Sequence, residues 1–547
     1  MGAAAVKGLH GGNTDGPSGY LPEGRIVSEA KHAAAYGFGG KDGMAADISP
    51  RTLHDIYLRP WREYKEAGGR GAMLSHNSIN DVPAHADPEL MDALRAWGPA
   101  GTNSSGMLLA SDMCDVGLLA SGGQSKQIHR GPGTGFGVAA NLSEAGAMSM
   151  AAGMDQELCN PTDGRGQCFT LVADAVKDGL MAQAALDRAA ANVLRAKFAA
   201  GLFDKPMKEP AATSIINNEA HKALAKRVVS EGAVLLQNEG PASEECPHCA
   251  GLPLKGFSSS STVAIIGALA NDNQSQCGGY TGFGAEVTTV LGAAPQYLNG
   301  AKIVTAQGAA VTGNSTAGFA EALDVAAQAD AVVAVVGDSG AKGWTMNTCG
   351  EDDDRTQLDL TGVQPELLDA LATNLSGTGK PLIVVLVHGR PVSFVRHNLL
   401  PKLPAVLAAW RPGEQGGPAI WEILLGHTSP SGRLSQAWPV SAGFVHSQAS
   451  PWFSKRQGDF DHEAYRGGPS QQPGKKQTYD WEALFPFVRR TVLISAVVVF
   501  FLRLTCLPRR AMASRTRRST SPSRARPQRS SCCRTGPAPT PSARRRR

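Results

Sequence analysis

The chain has 547 residues, 42% hydrophobic and 18% charged, a length that predicts several domains, or fewer if one is a barrel. Its formal charge of +5 is carried by one end: residues 503–547 hold 14 arginines, no lysine and no acid, which leaves −9 on the rest. An acidic body argues against a nucleic-acid-binding core, and ten cysteines in this length exclude a disulfide scaffold.

In chain order, Ala3 to His10 reads as the end of a helix, and no secretory leader is evident in Met1-Gly-Ala-Ala-Ala-Val-Lys7. A strand is predicted from Ile26 to His32, ending in the polar pair Lys31-His32. Ser49 as N-cap with Pro50 at the first position starts a helix, and Leu53, Ile56, Tyr57, Trp61 and Tyr64 follow at helical spacing. Gly68-Gly69 stops it. The next strand, from Gly71, ends in Ser75-His76-Asn77. A helix follows from Pro88 to Ala96, then a strand from Met107 to Ser111 that ends in Asp112.

Strand and helix thus alternate three times with polar side chains at each strand end. This is the (β/α) pattern in which active groups sit where strands become loops. Asp112 is the most reactive-looking of them, a candidate nucleophile or base; the alternative role is a helix cap. A helix Ser143–Ala152, a short strand Gly153–Leu158, and helices Leu171–Gly179 and Gln183–Ala200 complete this region.

A Pro-containing linker at Lys205–Thr213 and a helix Asn217–Leu236 lead into a second alternating region. Its strands begin at Val263, Ala331, Leu382 and Ala405, and their unbroken apolar runs suit a parallel sheet buried on both faces. Helices Gly318–Gln328 and Gln364–Asn374 alternate with them. Neither Gly267-Ala-Leu-Ala nor Gly337-Asp-Ser-Gly-Ala-Lys-Gly has dinucleotide-binding spacing. The acids Glu351-Asp-Asp-Asp354 lack the alternation of a calcium loop, and one of them, Glu351, is a candidate to project into a neighbouring cleft. Cys246-Pro-His-Cys249 is a lone pair in loop composition, read as a local disulfide or free thiols, and Cys159 and Cys168 could close another loop. The apolar run Thr491–Leu502 is shorter than the ~20 residues of a membrane-spanning helix.

The chain resembles glycoside hydrolase family 3, the β-glucosidase and β-xylosidase group. The resemblance rests on Lys31-His-Ala-Ala-Ala-Tyr-Gly, Tyr57-Leu-Arg-Pro-Trp, Ala72-Met-Leu-Ser-His-Asn-Ser-Ile-Asn, Ser111-Asp112 and Ala152-Gly-Met-Asp-Gln-Glu-Leu. It continues through Lys197-Phe-Ala-Ala-Gly-Leu-Phe-Asp, Val234-Leu-Leu-Gln-Asn, Gly350-Glu-Asp-Asp-Asp-Arg and Pro430-Ser-Gly-Arg-Leu. The family implies a TIM-like barrel, here partial, followed by an α/β sandwich with a mostly parallel sheet. The corresponding divisions are 1–204 (barrel part), 205–230 (linker and helix), 231–445 (sandwich), 446–487 (irregular connection) and 488–547 (apolar run and disordered Arg-rich tail).

The resemblance further implies Asp112 as nucleophile and Glu351 as general acid/base of a retaining mechanism, with Lys31, His32, His76 and Met113 at the sugar. Lys31 would help keep Asp112 ionised. A tyrosine is usual in the family at His76, and an aromatic or small residue often follows the nucleophile where Met113 stands. The expected partner is a glycoside or oligosaccharide, with no cofactor, no metal and no nucleic acid for the body. β-Glucosidase is favoured over β-xylosidase; a non-catalytic carbohydrate-binding product is the alternative of another class. An extracellular or lytic compartment is expected by resemblance. The barrel's first half is expected upstream of Met1, and a glycine-rich continuation in place of the tail after Phe487.

Overall fold

The structure is a computed structural model. It describes residues 2–11, 21–22, 25–39, 45–96, 107–120, 135–159, 167–204, 215–238, 251–281, 286–340, 347–350, 355–435, 438–439 and 483–485. The Lys205–Thr213 linker, the Cys246/Cys249 pair, the apolar run at 491–502 and the Arg-rich tail lie outside these residues.

The first body opens on α1 (Gly2–His10) and is built on three parallel strands, β1 (Glu29–Ala33), β2 (Gly71–Leu74) and β3 (Leu108–Ala110). Gly71 pairs with Glu29 on one side and Leu108 on the other, so the three strand ends stand side by side. Helices connect them, each for a local reason. The Ser49 hydroxyl accepts the Thr52 amide at 3.1 Å, and Pro50 needs no amide partner at the first position. The helical path then runs through Leu53–Tyr57 into α2 (Arg59–Glu66), which buries Trp61 and Tyr64. α3 (Pro88–Ala96) buries Leu90, Met91 and Leu94 against Leu74, Met107 and Leu109. Further along, α4 (Leu142–Ala152) is capped by Asn141, whose side chain accepts the Glu144 amide; α5 (Val172–Lys177) and α6 (Gln183–Ala199) follow.

Two expectations for this body need correction. The first strand begins at Glu29, not Ile26: Ile26 is exposed, and its amide bonds to the Leu9 carbonyl. Gly153–Leu158 is not a strand but a single bridge, Gln156 to Ala110. The reason is Asp155. Its carboxylate accepts the Leu109 amide at 2.9 Å, so a side chain rather than a backbone carbonyl satisfies that donor of β3. Asn192 and Arg95 bind the same carboxylate at 2.9 and 2.6 Å.

The second body opens with α7 (Glu219–Gly232) and β4 (Val234–Asn238), so the helix expected to reach Leu236 ends four residues earlier. Val234–Asn238 instead pairs antiparallel with β9 (Ala405–Ala408), where Leu235 faces Leu407. Between them come β5 (Thr262–Ile266), β6 (Lys302–Ala306), β7 (Ala331–Gly337) and β8 (Leu382–Val387). The sheet order is β4-β9-β8-β7-β5-β6, parallel except for β4.

All seven residues of β7 are buried, because the sheet is covered on both faces. Val332, Ala334 and Val336 pack with the helices Phe319–Gln328 (α8) and Gln364–Leu375 (α9). Val333 and Val335 face Val290, Ile420 and Trp421 on the other side. The glycines that end these strands serve packing. At Gly337, with φ +144°, a Cβ would stand 1.9 Å from the Val387 carbonyl oxygen, and at Gly267 2.1 Å from that of Val335. The molecule is α/β in class: parallel strands with helices, then a mostly parallel open sheet. Among the described residues, no helix is long and apolar enough to cross a membrane.

Candidate active site

His32 lies near the end of β1, His76 two residues beyond β2, and Asp112 two residues beyond β3. Parallel neighbours put all three at the same edge of the sheet. His32 Nε2 and His76 Nε2 each stand 2.9 Å from the same oxygen, Asp112 Oδ2. The other oxygen, Oδ1, accepts the Met113 amide at 2.7 Å. Side-chain exposures of 17% for His32 and Asp112 and 12% for His76 leave one side of the cluster open.

The backbone beneath is held firmly. The Ser111 hydroxyl donates to the Asp112 carbonyl at 2.8 Å and accepts the Leu158 amide at 3.0 Å. Cys114, with φ +59°, pairs in a disulfide with Cys159, its Cα 4.6 Å away. That corrects the expected Cys159–Cys168 link: Cys168 stays outside the disulfide, buried beside Glu157, whose carboxylate accepts its amide. The 45 residues between Cys114 and Cys159 leave no local spacing from which to read the pair.

Behind His76 lies a residue that sequence reasoning missed. Asp115, fully buried, contacts His76 Nδ1 through Oδ2 as an ion pair, and His85 Nε2 stands 3.9 Å from the same oxygen. The signal was an acid three residues after Asp112, but its contact with His76 depends on the turn at Cys114.

Burial opposes ionisation of Asp112, yet hydrogen bonds from His32, His76 and the Met113 amide, with the charge on His76, hold it well below the usual carboxylate range. Lys31, expected to do this work, is not among these leading groups; it is exposed, and its charge bears on Glu29. Burial also works against a charged His76, but hydrogen bonds to Asp112 and Asp115 and the two carboxylate charges outweigh it and push the imidazole up to about 10. Burial drives His85 down, so it stands neutral behind the pair. A raised histidine stabilises the fold in full below its unfolded value of ~6.5 and loses that contribution as pH rises through about 10. The melting temperature is therefore expected to fall between pH 7 and pH 10 more steeply in the natural chain than in His76→Tyr; parallel curves would contradict this charge state.

His32, His76 and Asp112 are also the one group among the described residues whose ligand atoms, within 4.8 Å of one another, could surround a metal ion. The facing atoms are already joined by hydrogen bonds, and a cation would have to displace the His76 proton. The arrangement suits an ionised carboxylate presented to an electrophile, fixed from three directions.

Glu351 lies outside the described residues. The chain on either side of it is tied to the second body. The Thr348 and Cys349 amides donate to the Ser339 carbonyl at 2.9 and 3.1 Å. Arg390 donates to Asp338 Oδ1 and to the carbonyls of Leu358 and Asp359, each at 2.9 Å, so one guanidinium bridges both stems of the 340–357 segment. Asp338 is fully buried and Arg390 nearly so, and removing one partner of such a pair costs about 3–5 kcal/mol. Arg390→Met should lose that much in a denaturant titration; a loss under ~1 kcal/mol would show that the clamp bears little.

Residues 1–196 match the Glycosyl hydrolase family 3 N terminal domain, and residues 233–483 the Glycosyl hydrolase family 3 C-terminal domain. A beta-xylosidase of Formosa agariphila is 32% identical over 461 residues, 81% of this chain and 57% of that protein. A periplasmic beta-glucosidase of Salmonella typhimurium is 30% identical over 453 residues, 77% of this chain and 53% of that one. Among solved structures, a β-glucosidase of Erythrobacter marinus superposes with a TM-score of 0.66 at 32% identity, over 82% of this chain and 57% of its own. The chain spans about half the length of the curated relatives it matches. With both halves of one family matched in order along the same chain, the protein belongs to glycoside hydrolase family 3.

Proposed function

We propose that this chain carries the catalytic apparatus of a retaining, exo-acting β-glycosidase. The observation that supports it best is Asp112, an ionised carboxylate at a strand end that receives two histidines on one oxygen. Asp112 attacks the anomeric carbon, and the glycosidic oxygen leaves with a proton from Glu351. Glu351 then takes a proton from water as that water displaces Asp112. His32 and His76 hold the nucleophile, and His32, Lys31 and Met113 face the sugar. Met113, 46% exposed, offers an apolar surface beside the reacting carbon. No cofactor takes part, since proton transfer and carboxylate attack complete the reaction.

The favoured substrate is a terminal β-D-glucosyl residue. A β-xyloside is the second reading, because the relative from Formosa agariphila is named a beta-xylosidase. The purified chain with nitrophenyl β-glucoside and nitrophenyl β-xyloside decides between them through the ratio of kcat/KM. Turnover of neither substrate, with carbohydrate binding retained, would leave the non-catalytic alternative standing.

A further inference from the structure

Asp115 is a costly residue to place where it is. Its carboxylate has no solvent exposure, and such a group must be paired to be tolerated. It opens the short helical turn Asp115–Leu119, but its side chain caps nothing there. Its Oδ2 is in direct ion-pair contact with His76 Nδ1, and His85 Nε2 stands 3.9 Å from the same oxygen. Across the ring, His76 Nε2 meets Asp112 Oδ2 at 2.9 Å. One imidazole therefore stands between two carboxylates, one open to substrate and one sealed behind it.

We propose that Asp115 is a positioning residue that acts through His76: it fixes the ring and keeps both ring nitrogens protonated, so that Asp112 faces a full positive charge. This rests on the reading of Asp112 as nucleophile and gives Asp115 a step to act on. In the second half-reaction the bond from Asp112 to the anomeric carbon breaks, its electron pair returns to the carboxylate, and the water proton goes to Glu351. A cation beside Asp112 stabilises that departing carboxylate. In the first half-reaction the same cation stabilises the carboxylate before attack and gives no help. The benefit of Asp115 therefore falls on release of the glycosyl-enzyme. A phenol at position 76, the usual family residue, would donate one hydrogen bond without a charge and have no use for Asp115.

The groups that face His76 are Asp112, Asp115, His32 and Tyr36, whose ring centroid is 5.5 Å away, with His85 behind Asp115 and Glu29 and Lys31 on the adjoining strand. Nitrogen-15 NMR of the purified full chain reads the ring directly and requires no turnover. His76 should remain doubly protonated above pH 8, and Asp115→Asn should bring its titration at least one pH unit lower. Identical titrations in the two proteins would overturn the proposal. With an activated aryl glycoside, D115N should lower kcat and KM together, by about tenfold or more, with kcat/KM little changed. The expected loss stays below the ~10⁴-fold seen when the carboxylate behind a catalytic-triad histidine is amidated. A fall in kcat/KM alone would place Asp115 outside release.

Folding is controlled with His76→Tyr and the H76Y/D115N double variant. Once the imidazole is gone the buried Asp115 carboxylate has lost its ion-pair partner, so the Asn change should leave kcat alone and should not lower the melting temperature, whereas a structural carboxylate would be missed in both backgrounds. If a 2-fluoroglycoside fails to label Asp112 in the natural chain, the nucleophile reading fails, while the His76 titration still decides the Asp115–His76 pairing.

Discussion

Asp112→Asn is expected to lose several orders of magnitude in turnover while its melting curve stays cooperative. The amide is close to isosteric, so the backbone contacts of Ser111 and Leu158 survive, but an amide is too weak a nucleophile to form the glycosyl-enzyme. His32 and His76 would then point their donors at a neutral group, and His76 would lose one of the carboxylates that sustain its charge. Two measurements check the assignment together. A 2-fluoroglycoside should label the peptide containing Asp112 in the natural protein and leave D112N unlabelled. Near-normal turnover in the variant, or label on another carboxylate, would move the nucleophile elsewhere.

Glu351→Ala should separate substrates by leaving group. Alkyl and sugar leaving groups need a proton as the bond breaks, so their kcat/KM should fall by roughly 10²–10⁴, the usual contribution of a general acid. Nitrophenolates leave unaided, and for them the first step should be nearly unaffected. Azide needs no general base, so adding it should restore turnover of the nitrophenyl substrate and yield the β-glycosyl azide, the product of retained configuration. Equal losses on both substrate types would point to Asp352 or Asp353, or to a structural role for the acidic run.

The two predictions draw on different parts of the sequence for one physical reason. A strand-end carboxylate is legible from local pattern, since Leu108-Leu109-Ala110 is an apolar run that stops at polar residues. The parallel, doubly covered sheet was equally legible, because residues such as Val332–Val336 have no polar alternation and so require cover on both faces. Helix starts with a chemical marker, Ser49-Pro50 for example, could be read directly. The end of the helix before Val234 could not. Leu235 and Leu236 suit a helix as well as a strand, and pairing with Ala405–Ala408, about 170 residues away in the chain, decided between them.

The candidate site shows the same division. Its composition was readable: His32, His76 and Asp112 each follow a strand, and a parallel sheet brings strand ends together whatever lies between them in sequence. Which atoms meet was not readable. That both histidines converge on Asp112 Oδ2 follows from the register of Glu29 with Gly71 and Gly71 with Leu108. Asp115, and the pairing of Cys114 with Cys159 in place of Cys168, depend on the left-handed turn at Cys114. Gly153–Leu158 keeps a single bridge in place of a strand, with the Asp155 carboxylate rather than a backbone carbonyl on the Leu109 amide. Periodicity and strand-end chemistry are local properties and survive in one dimension. Hydrogen-bond partners, disulfide pairs and buried ion pairs are choices among residues far apart in the chain, and only the folded backbone makes them.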